Sequence, residues 1–366
     1  MGALVAPVLP GGWLTLIVVA LLAFAPLGLF LRSRAGGGYP GVFTRLVVFR
    51  GFLYLQLALP LLAAGGVVGT VVGAMIGAPA RGGRAALVVV AALAVAVGVA
   101  GWVGSRRLQV RRLRAAWPDL PPGLAGLRIA QLSDLHVGPQ TSRRFLARVR
   151  RAVDDACPDV VALTGDLVDD HAPDVAHFAA SFGTIRAPLG VYAVPGNHDV
   201  YANWPAVVAR LGELPLTLLV NEVVTVEQGG SHLAIVGVGD PAGRGTGAGP
   251  DPARAVQSVP AGAFTLALAH NPALWLALAA LGVRLTLSGH THWGQLALPG
   301  RNWSIATPFL RDLVMGVHRR ADSLLYIAPG SGFWGIPFRL GAWPEVTIIT
   351  LGVGEVGIVE EDDSVR

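Results

Sequence analysis

Leu127-Arg128-Ile129-Ala130-Gln131-Leu132-Ser133-Asp134-Leu135-His136 opens the informative half of this 366-residue chain. A short apolar run, Leu127 to Leu132, enters a polar turn that carries a carboxylate and, two residues on, an imidazole. The pattern returns twice: Val160 to Leu163 enters Thr164-Gly165-Asp166, and Gly190 to Val194 enters Pro195-Gly196-Asn197. Between these runs the apolar spacing is helical over Arg143 to Ala156 and Val175 to Phe182, which gives the order β-α-β-α-β. Asp166 follows Asp134 by 32 residues and Asn197 follows Asp166 by 31, each about the length of one βαβ unit. Equivalent positions then fall at neighbouring strand ends, where an open α/β sheet gathers its ligands.

Further strands are expected at Leu216 to Val220, Leu233 to Val238, Phe264 to Ala269, Leu285 to Leu287, Ser323 to Ile327 and Val346 to Leu351. Residues 240–252, with four Gly and three Pro, read as a mobile surface loop. Two more polar signatures sit in this region, His270-Asn271 and Gly289-His290-Thr291-His292. Together the five signatures supply Asp134, His136, Asp166, Asn197, His270, His290 and His292. Carboxylate oxygens and imidazole nitrogens in this mixture suit a divalent transition metal at a hydrolytic site. Asp166 lies mid-series and is the natural carboxylate to bridge two ions, which phosphoryl chemistry places about 3.5–4 Å apart. His171, His177, His232 and His318 lie outside the signatures and read as ordinary structural histidines. Cys157, the single cysteine, reads as a small buried packing residue after a helix.

The ordered signatures resemble the calcineurin-like metallophosphoesterase superfamily. The opening ten residues, with Pro337-Phe338-Arg339-Leu340 and Pro344-Glu345-Val346, are similar to bacterial membrane-anchored members related to lipid A-precursor pyrophosphatases. The resemblance covers roughly residues 126 to 352 and implies a metallophosphoesterase-type α/β fold, a β-sandwich flanked by helices. It implies one metal on Asp134, His136, Asp166 and His292, and a second on Asp166, Asn197, His270 and His290. The ions would be Mn, Fe or Zn. His198 would contact the phosphate and protonate the leaving oxygen, Asp199 would orient that imidazole, and Asp169 would be a supporting carboxylate. The implied reaction is hydrolysis of a phosphodiester or pyrophosphate by a metal-activated hydroxide. Trp293 departs from the pattern, because relatives often carry Gly directly after the His-x-His pair.

The other half of the chain is of a different kind. Before Asp119 there are eleven Arg and no acid, whereas 17 Arg face 23 acids from there on. The formal net charge of +5 therefore belongs to the first third, and the second half is mildly acidic. A basic groove tracking nucleic acid is not expected. Trp13 to Leu31, Gly51 to Ala80 and Ala85 to Ser105 are uncharged runs of 19, 30 and 21 residues, each near or above the ~18–20 needed to cross a bilayer. Three transmembrane helices are expected within a membrane domain of residues 1–114. A linker at 115–126, a catalytic domain at 127–352 and an acidic tail at 353–366 follow. Met1 to Gly12 carries no basic residue, so the first run reads as a retained anchor rather than a cleaved signal. With three spans, Arg32, Arg34 and Arg45 share a side with the Arg106 to Arg114 cluster, and only Arg81 and Arg84 lie opposite. The positive-inside rule then puts the catalytic half in the cytoplasm of a multi-pass cell-membrane protein.

The reading favoured by the residues is a membrane-anchored enzyme acting on a phosphorylated substrate, with lipids among the candidates. The alternatives are a non-catalytic membrane receptor or scaffold for a phosphorylated ligand, and a nuclease. Gly332 to Phe338 offers apolar and aromatic side chains that suit either a lip for an acyl chain or core and turn packing.

Overall fold

The computed structural model describes residues 12–34, 41–298, 303–310 and 312–361. The acid-free start at Met1–Gly11 and the last five residues of the acidic tail lie outside them. The chain divides into two compact units, Met1–Val103 with Gly335–Phe338, and Gly104–Trp334 with Arg339–Arg366.

Among the described residues the first unit has three α-helices, α1 (Trp13–Arg34), α2 (Arg50–Met75) and α3 (Pro79–Gly104). Among the described residues two helical stretches are long and apolar enough to cross a membrane, Thr44–Met75 and Pro79–Gly104. The first includes a π-helical start, Thr44–Phe49. Arg81 and Arg84, expected in a loop, lie inside α3, because Pro79 presets the backbone for a helical first turn.

Helices α2 and α3 meet through small residues. A Cβ at Gly82 would fall on the Gly69 carbonyl oxygen, and one at Gly69 would fall on Ala86 and on the Gly82 carbonyl. Such close backbone approach is how helices associate in lipid, where no hydrophobic effect drives them together. Gly82→Leu is therefore expected to destabilise the full chain in detergent by about 1–3 kcal/mol, the usual cost of overpacking. Thermal melting reads the effect, and an unchanged melting temperature would show that the helices do not rely on this approach.

The second unit is built on fifteen described strands. In chain order these are β1 (Gln109–Trp117), β2 (Arg128–Leu132), β3 (Val160–Leu163), β4 (Val191–Ala193), β5 (Thr217–Leu218), β6 (Glu222–Gln228), β7 (Ser231–Gly237) and β8 (Phe264–Leu268). Then come β9 (Leu285–Ser288), β10 (Ala297–Leu298), β11 (Trp303–Ser304), β12 (Gly316–Arg320), β13 (Ser323–Ile327), β14 (Glu345–Val353) and β15 (Gly357–Glu360). One mixed sheet has the order β15-β1-β14-β2-β3-β4-β5, a second has β12-β13-β9-β8-β7-β6, and β10-β11 form a small ribbon. Strands β2, β3, β4 and β5 run parallel, as do β7, β8, β9 and β13.

One apolar core takes side chains from both large sheets: Ile129, Val160 and Tyr192 from the first, Ile235, Leu266 and Leu287 from the second. The outer face of the first sheet, with Ala130, Leu132 and Leu163, packs on Phe145 and Val149 of α4 (Arg143–Ala156) and on Phe178 and Phe182 of α5 (Val175–Phe182). Strands buried on both faces need near-continuous apolar runs, which is why β2 and β3 read so clearly in the sequence.

The stretch expected as a linker, 115–126, is instead structural. Strand β1 pairs in parallel with β14 from Gln109↔Glu345 to Trp117↔Val353. Its alternate side chains Leu113, Ala115 and Trp117 are buried, and the Trp117 indole N–H donates to the Asp322 carbonyl (2.8 Å). Leu120 and Leu124 continue into the core. Arg111, Arg112 and Arg114 of the cluster counted for orientation belong to this strand and are interleaved with core positions. Part of the stretch expected as an acidic tail is likewise the edge strand β15, antiparallel to β1. A fragment beginning at Pro118 would lack β1 altogether. Losing the Trp117 side chain alone costs about 3–5 kcal/mol, a large part of the ~5–15 kcal/mol that holds a domain folded.

Two smaller expectations also change. The Asn221 side chain fastens the 240–252 segment by accepting from the Gly239 and Asp251 amides and donating to the Gly249 carbonyl (2.7–3.1 Å). Cys157 is exposed, not buried, because it caps α4 in the left-handed conformation (φ 45°) and turns the chain outward.

Candidate metal centre

The loops after β2 and β3, the start of helix α6 (Asn197–Tyr201) just beyond β4, and the loops after β8 and β9 bring their polar residues to one end of the two sheets. A regular pleat would point Asp134 and His136 along one face of an extended strand. Instead both adopt positive φ (52° and 42°), as do Asp166 (52°), His290 (74°) and His292 (51°). Left-handed backbone is costly for residues other than Gly and is tolerated where the surroundings enforce it, often at functional sites. Gly289 is required by close approach: a Cβ there would fall on Ser133 Oγ and Asp134 Oδ2.

Two groups of donor atoms result. In the first, ligand atoms of Asp134, His136, Asp166 and His292 all lie within 4.8 Å of one another, and all four residues are buried. His136 Nε2 is 3.0 Å from His292 Nε2, and His292 Nε2 is 3.3 Å from Asp134 Oδ1. In the second, Asn197 Oδ1 is 3.2 Å from His270 Nε2 and 2.8 Å from His290 Nδ1. Asp166 touches both groups, with Oδ2 at 3.5 Å from His136 Nε2 and 3.2 Å from His270 Nε2. All seven residues singled out in the sequence as metal ligands are thus brought together. So many lone-pair atoms converging from both sides of one carboxylate make a donor set that fits divalent cations.

Electrostatics follow from burial and from these contacts. Burial pushes the Asp166 carboxyl up, but the His270, His136 and His198 imidazoles hold it well below the usual carboxylate range. Burial pulls His270 down, yet Asp166 raises it well above the ordinary histidine value. His292 is held well below that value by burial, His136 and Arg339, which leaves a neutral ring able to offer a lone pair.

His198 lies beside the first group, its ring 4.7 Å from that of His136. The sequence pointed to Asp199 as the carboxylate orienting it, and the structure corrects this. Asp199 turns away and accepts backbone N–H groups from Leu167 (2.9 Å), Val168 (3.1 Å) and Gly196 (2.9 Å). It occupies the third position of α6, where a carboxylate naturally folds back to cap the helix start. Burial, with Asp166 nearby, pushes its carboxyl up to about 6. The partner of His198 is Asp170, with Oδ1 3.0 Å from Nδ1, alongside the Asp169 carbonyl at 3.1 Å. The Asp169 side chain approaches His136 Nδ1 at 3.7 Å.

Burial lowers the pKa of His198, but the Asp170 hydrogen bond and the Asp166 charge outweigh it and raise it to about 9. Because the folded value lies above the unfolded one, the linked stabilisation is complete below the unfolded pKa of about 6.5 and is lost as pH rises through about 9. In the metal-free full chain, Asp170→Asn is expected to bring the titration of His198 down toward the ordinary histidine value and to remove that alkaline loss. NMR titration of the imidazole resonances reads this, and an unmoved midpoint would rule out Asp170 as the main partner.

Residues 127–294 match the calcineurin-like phosphoesterase family. The chain is 30% identical over 238 residues to an uncharacterized metallophosphoesterase of Bacillus subtilis (strain 168), with 63% of this chain and 81% of the relative covered. This chain belongs to the calcineurin-like metallophosphoesterase family. It is also 35% identical over 248 residues to a transmembrane protein with metallophosphoesterase domain from Bos taurus, covering 63% of this chain and 54% of that one. An uncharacterized metallophosphoesterase of Helicobacter pylori (strain J99 / ATCC 700824) is 31% identical over 228 residues, with 62% and 60% covered. The chain thus spans little more than half the length of the Bos taurus relative.

Three residues beside this metallophosphoesterase site have no individual role in the sequence reading: Asp170, and Trp334 and Arg339, which it includes only within the 332–338 and 337–340 stretches. Asp170 was hidden beside Asp169 in an acidic pair. Trp334 is 52% exposed, with its ring 6.1 Å from that of His198. The Gln295 side chain pins its backbone, donating to the Trp334 carbonyl (3.0 Å) and accepting its N–H (2.8 Å). Its neighbour Phe333 is buried, so the 332–338 stretch divides between packing and exposure, and Gly335–Phe338 belong to the first unit. Arg339 is fully buried against His292.

Proposed function

We propose that this chain is a membrane-anchored phosphoesterase that hydrolyses a phosphodiester or pyrophosphate bond using two divalent ions. Asp134, His136, Asp166 and His292 would hold one ion, and Asp166, Asn197, His270 and His290 the other. The observation that carries the reading is Asp166, whose Oδ2 lies within 3.5 Å of an imidazole from each donor group. When bound, two ions supply Lewis acidity toward phosphoryl oxygens and an activated water. The chain's own residues do the rest. His198, protonated below about 9 and held at Nδ1 by Asp170, is placed to steady the phosphoryl group and to give a proton to the leaving oxygen. Trp334 and Tyr201, whose rings flank His198 at 6.1 and 5.6 Å, offer apolar surface to the part of the substrate beyond the phosphorus. That surface, on a chain carrying long apolar helices, supports a lipid or other membrane-proximal phosphate ester as substrate.

The fold in this reading is the metallophosphoesterase sandwich, two sheets flanked by helices and preceded by three spans, with the catalytic unit on the cytoplasmic side. Cys157 is exposed and is the single cysteine, so it reports the side: a membrane-impermeant maleimide should label it only after cells are lysed. The activity test is hydrolysis of bis-p-nitrophenyl phosphate by the full chain in detergent, stripped by chelator and then resupplied with Mn²⁺. Turnover that returns with the metal is expected. Two bound ions without turnover on this ester or on lipid pyrophosphates would overturn the reading in favour of a receptor for phosphorylated ligands.

A further inference from the structure

Between Gln295 and Leu310 the sequence carries no acid and a single base, Arg301, in a half of the chain where acids outnumber bases. This arm leaves the turn after His292, forms the β10–β11 ribbon and ends in a short helix, Thr307–Leu310. Its side chains Leu298, Trp303, Ile305, Phe309 and Leu310 stay out of the core, Phe309 with 83% of its surface exposed. Apolar side chains grouped in this way beside a polar site mark a surface that meets something other than water.

We propose that this arm docks into the headgroup region of a phospholipid bilayer, so that the metal centre opens at the membrane surface. The inference rests on the membrane-anchored reading above. Three chain connections favour the bilayer over a protein partner. First, α3 ends at Gly104 and β1 begins at Gln109. Gln109 pairs with Glu345, and β14 runs antiparallel to β2 with Thr347 opposite Gln131. Strand β1 therefore starts at the end of the sheet where Asp134 and His136 emerge. Second, Trp334 and Arg339 flank Gly335–Phe338, which belongs to the helical unit. There the Tyr54 hydroxyl of α2 donates to the Pro337 carbonyl (3.1 Å), and a Cβ at Gly101 of α3 would fall on the Phe338 ring. Third, the arm is fastened to both flanks of that segment. Gln295 holds the Trp334 backbone, the Leu340 N–H donates to the Gln295 carbonyl, and the Ala297 N–H donates to the Leu340 carbonyl (both 2.9 Å).

A stretch the length of Gly335–Phe338 reaches at most about 14 Å even fully extended, so the covalent chain itself keeps the root of the arm near the apolar helices. Indole rings favour the membrane–water interface, and the apolar side chains of interfacial elements enter the headgroup–acyl boundary by about 5–10 Å. The absence of acids removes repulsion from an anionic leaflet, toward which Arg301 adds attraction. Trp334, with its ring 6.1 Å from that of His198, carries the same apolar character up to the site, so a lipid phosphate ester would reach it without leaving the leaflet.

The test places a thiol-linked NBD fluorophore at single sites of the full chain in POPC/POPG nanodiscs. The sites are Phe309→Cys and Ile305→Cys on the arm and Leu93→Cys midway along α3, each combined with Cys157→Ser, and native Cys157 by itself. Cys157 is exposed and precedes β3, at the opposite end of the sheet from the metal centre. Phosphatidylcholine spin-labelled near the top of its acyl chain is expected to quench most of the emission from both arm probes and to leave the Cys157 probe bright. A spin label near the chain end should quench the probe at Leu93→Cys. If that probe is quenched while both arm probes stay bright, the docking is overturned and the membrane anchor stands. Arm probes that are blue-shifted but unquenched overturn it too, in favour of packing on protein such as a second copy. A bright Leu93→Cys probe sinks the spanning helices instead, and arm probes quenched in that protein would uphold the docking without them. Quenching of the Cys157 probe equal to that of the arm overturns approach by the metal end.

Discussion

Asp166→Asn is expected to leave a folded chain that has lost turnover by about 10²-fold or more, above the ~10- to 100-fold typical of losing a group that only supports a metal ligand, because Asp166 would itself touch both ions. Asp166 is 1% exposed and lies between two groups of imidazoles. Its Oδ1 also accepts the His198 backbone N–H at 2.8 Å, so one carboxylate orders three parts of the site. The amide keeps the shape but replaces one oxygen by a donor, and it removes the only proposed anion shared by both ions. The measurement is bis-p-nitrophenyl phosphate hydrolysis together with metal stoichiometry, which should fall below two. Activity within tenfold of wild type would sink the two-ion reading. The metal-free protein offers an independent check. Because the folded pKa of Asp166 is held well below its unfolded value near 4, its stabilisation is complete above that unfolded value. It is lost as pH falls through the folded one. Acid melting of the variant should therefore be flatter than that of wild type.

What was legible in the sequence was what burial on both faces writes into it. β3 and the helices α4 and α5 have the bounds that apolar run and helical spacing suggest, Val160–Leu163, Arg143–Ala156 and Val175–Phe182. Strands whose side chains alternate with charge were missed. β1 hides Leu113, Ala115 and Trp117 among arginines that follow an apolar helix, and β6, Glu222–Gln228, is an edge strand with only partly buried side chains. Their signal lies in pairing with partners far along the chain, which local composition does not carry. The same limit explains the site. Asp134, Asp166 and Asn197 were found because each directly follows a strand. Which carboxylate serves His198 was not, because the start of α6 turns Asp199 back onto its own helix and hands the imidazole to Asp170, 28 positions earlier. Arg339 reaches His292 across 47 positions, a relation no spacing rule contains.

His198→Asn should separate proton donation from charge stabilisation. General acid catalysis by a placed imidazole is worth about 10²- to 10⁴-fold, but only where the departing oxygen needs a proton. p-Nitrophenolate leaves unaided, whereas an alkoxide does not. The variant is therefore expected to lose about 10²-fold or more on an alkyl phosphodiester, and markedly less on bis-p-nitrophenyl phosphate. Asp170→Asn should show the same leaving-group dependence at smaller amplitude, since Asp170 acts only by raising and aiming the His198 ring. Equal losses on both esters would mean that the imidazolium, poised within 4.7 Å of the His136 ring, neutralises phosphoryl charge and transfers no proton. Water would then have to protonate the leaving group, and the alkaline limb of the rate would follow the titration of His198 on both esters alike.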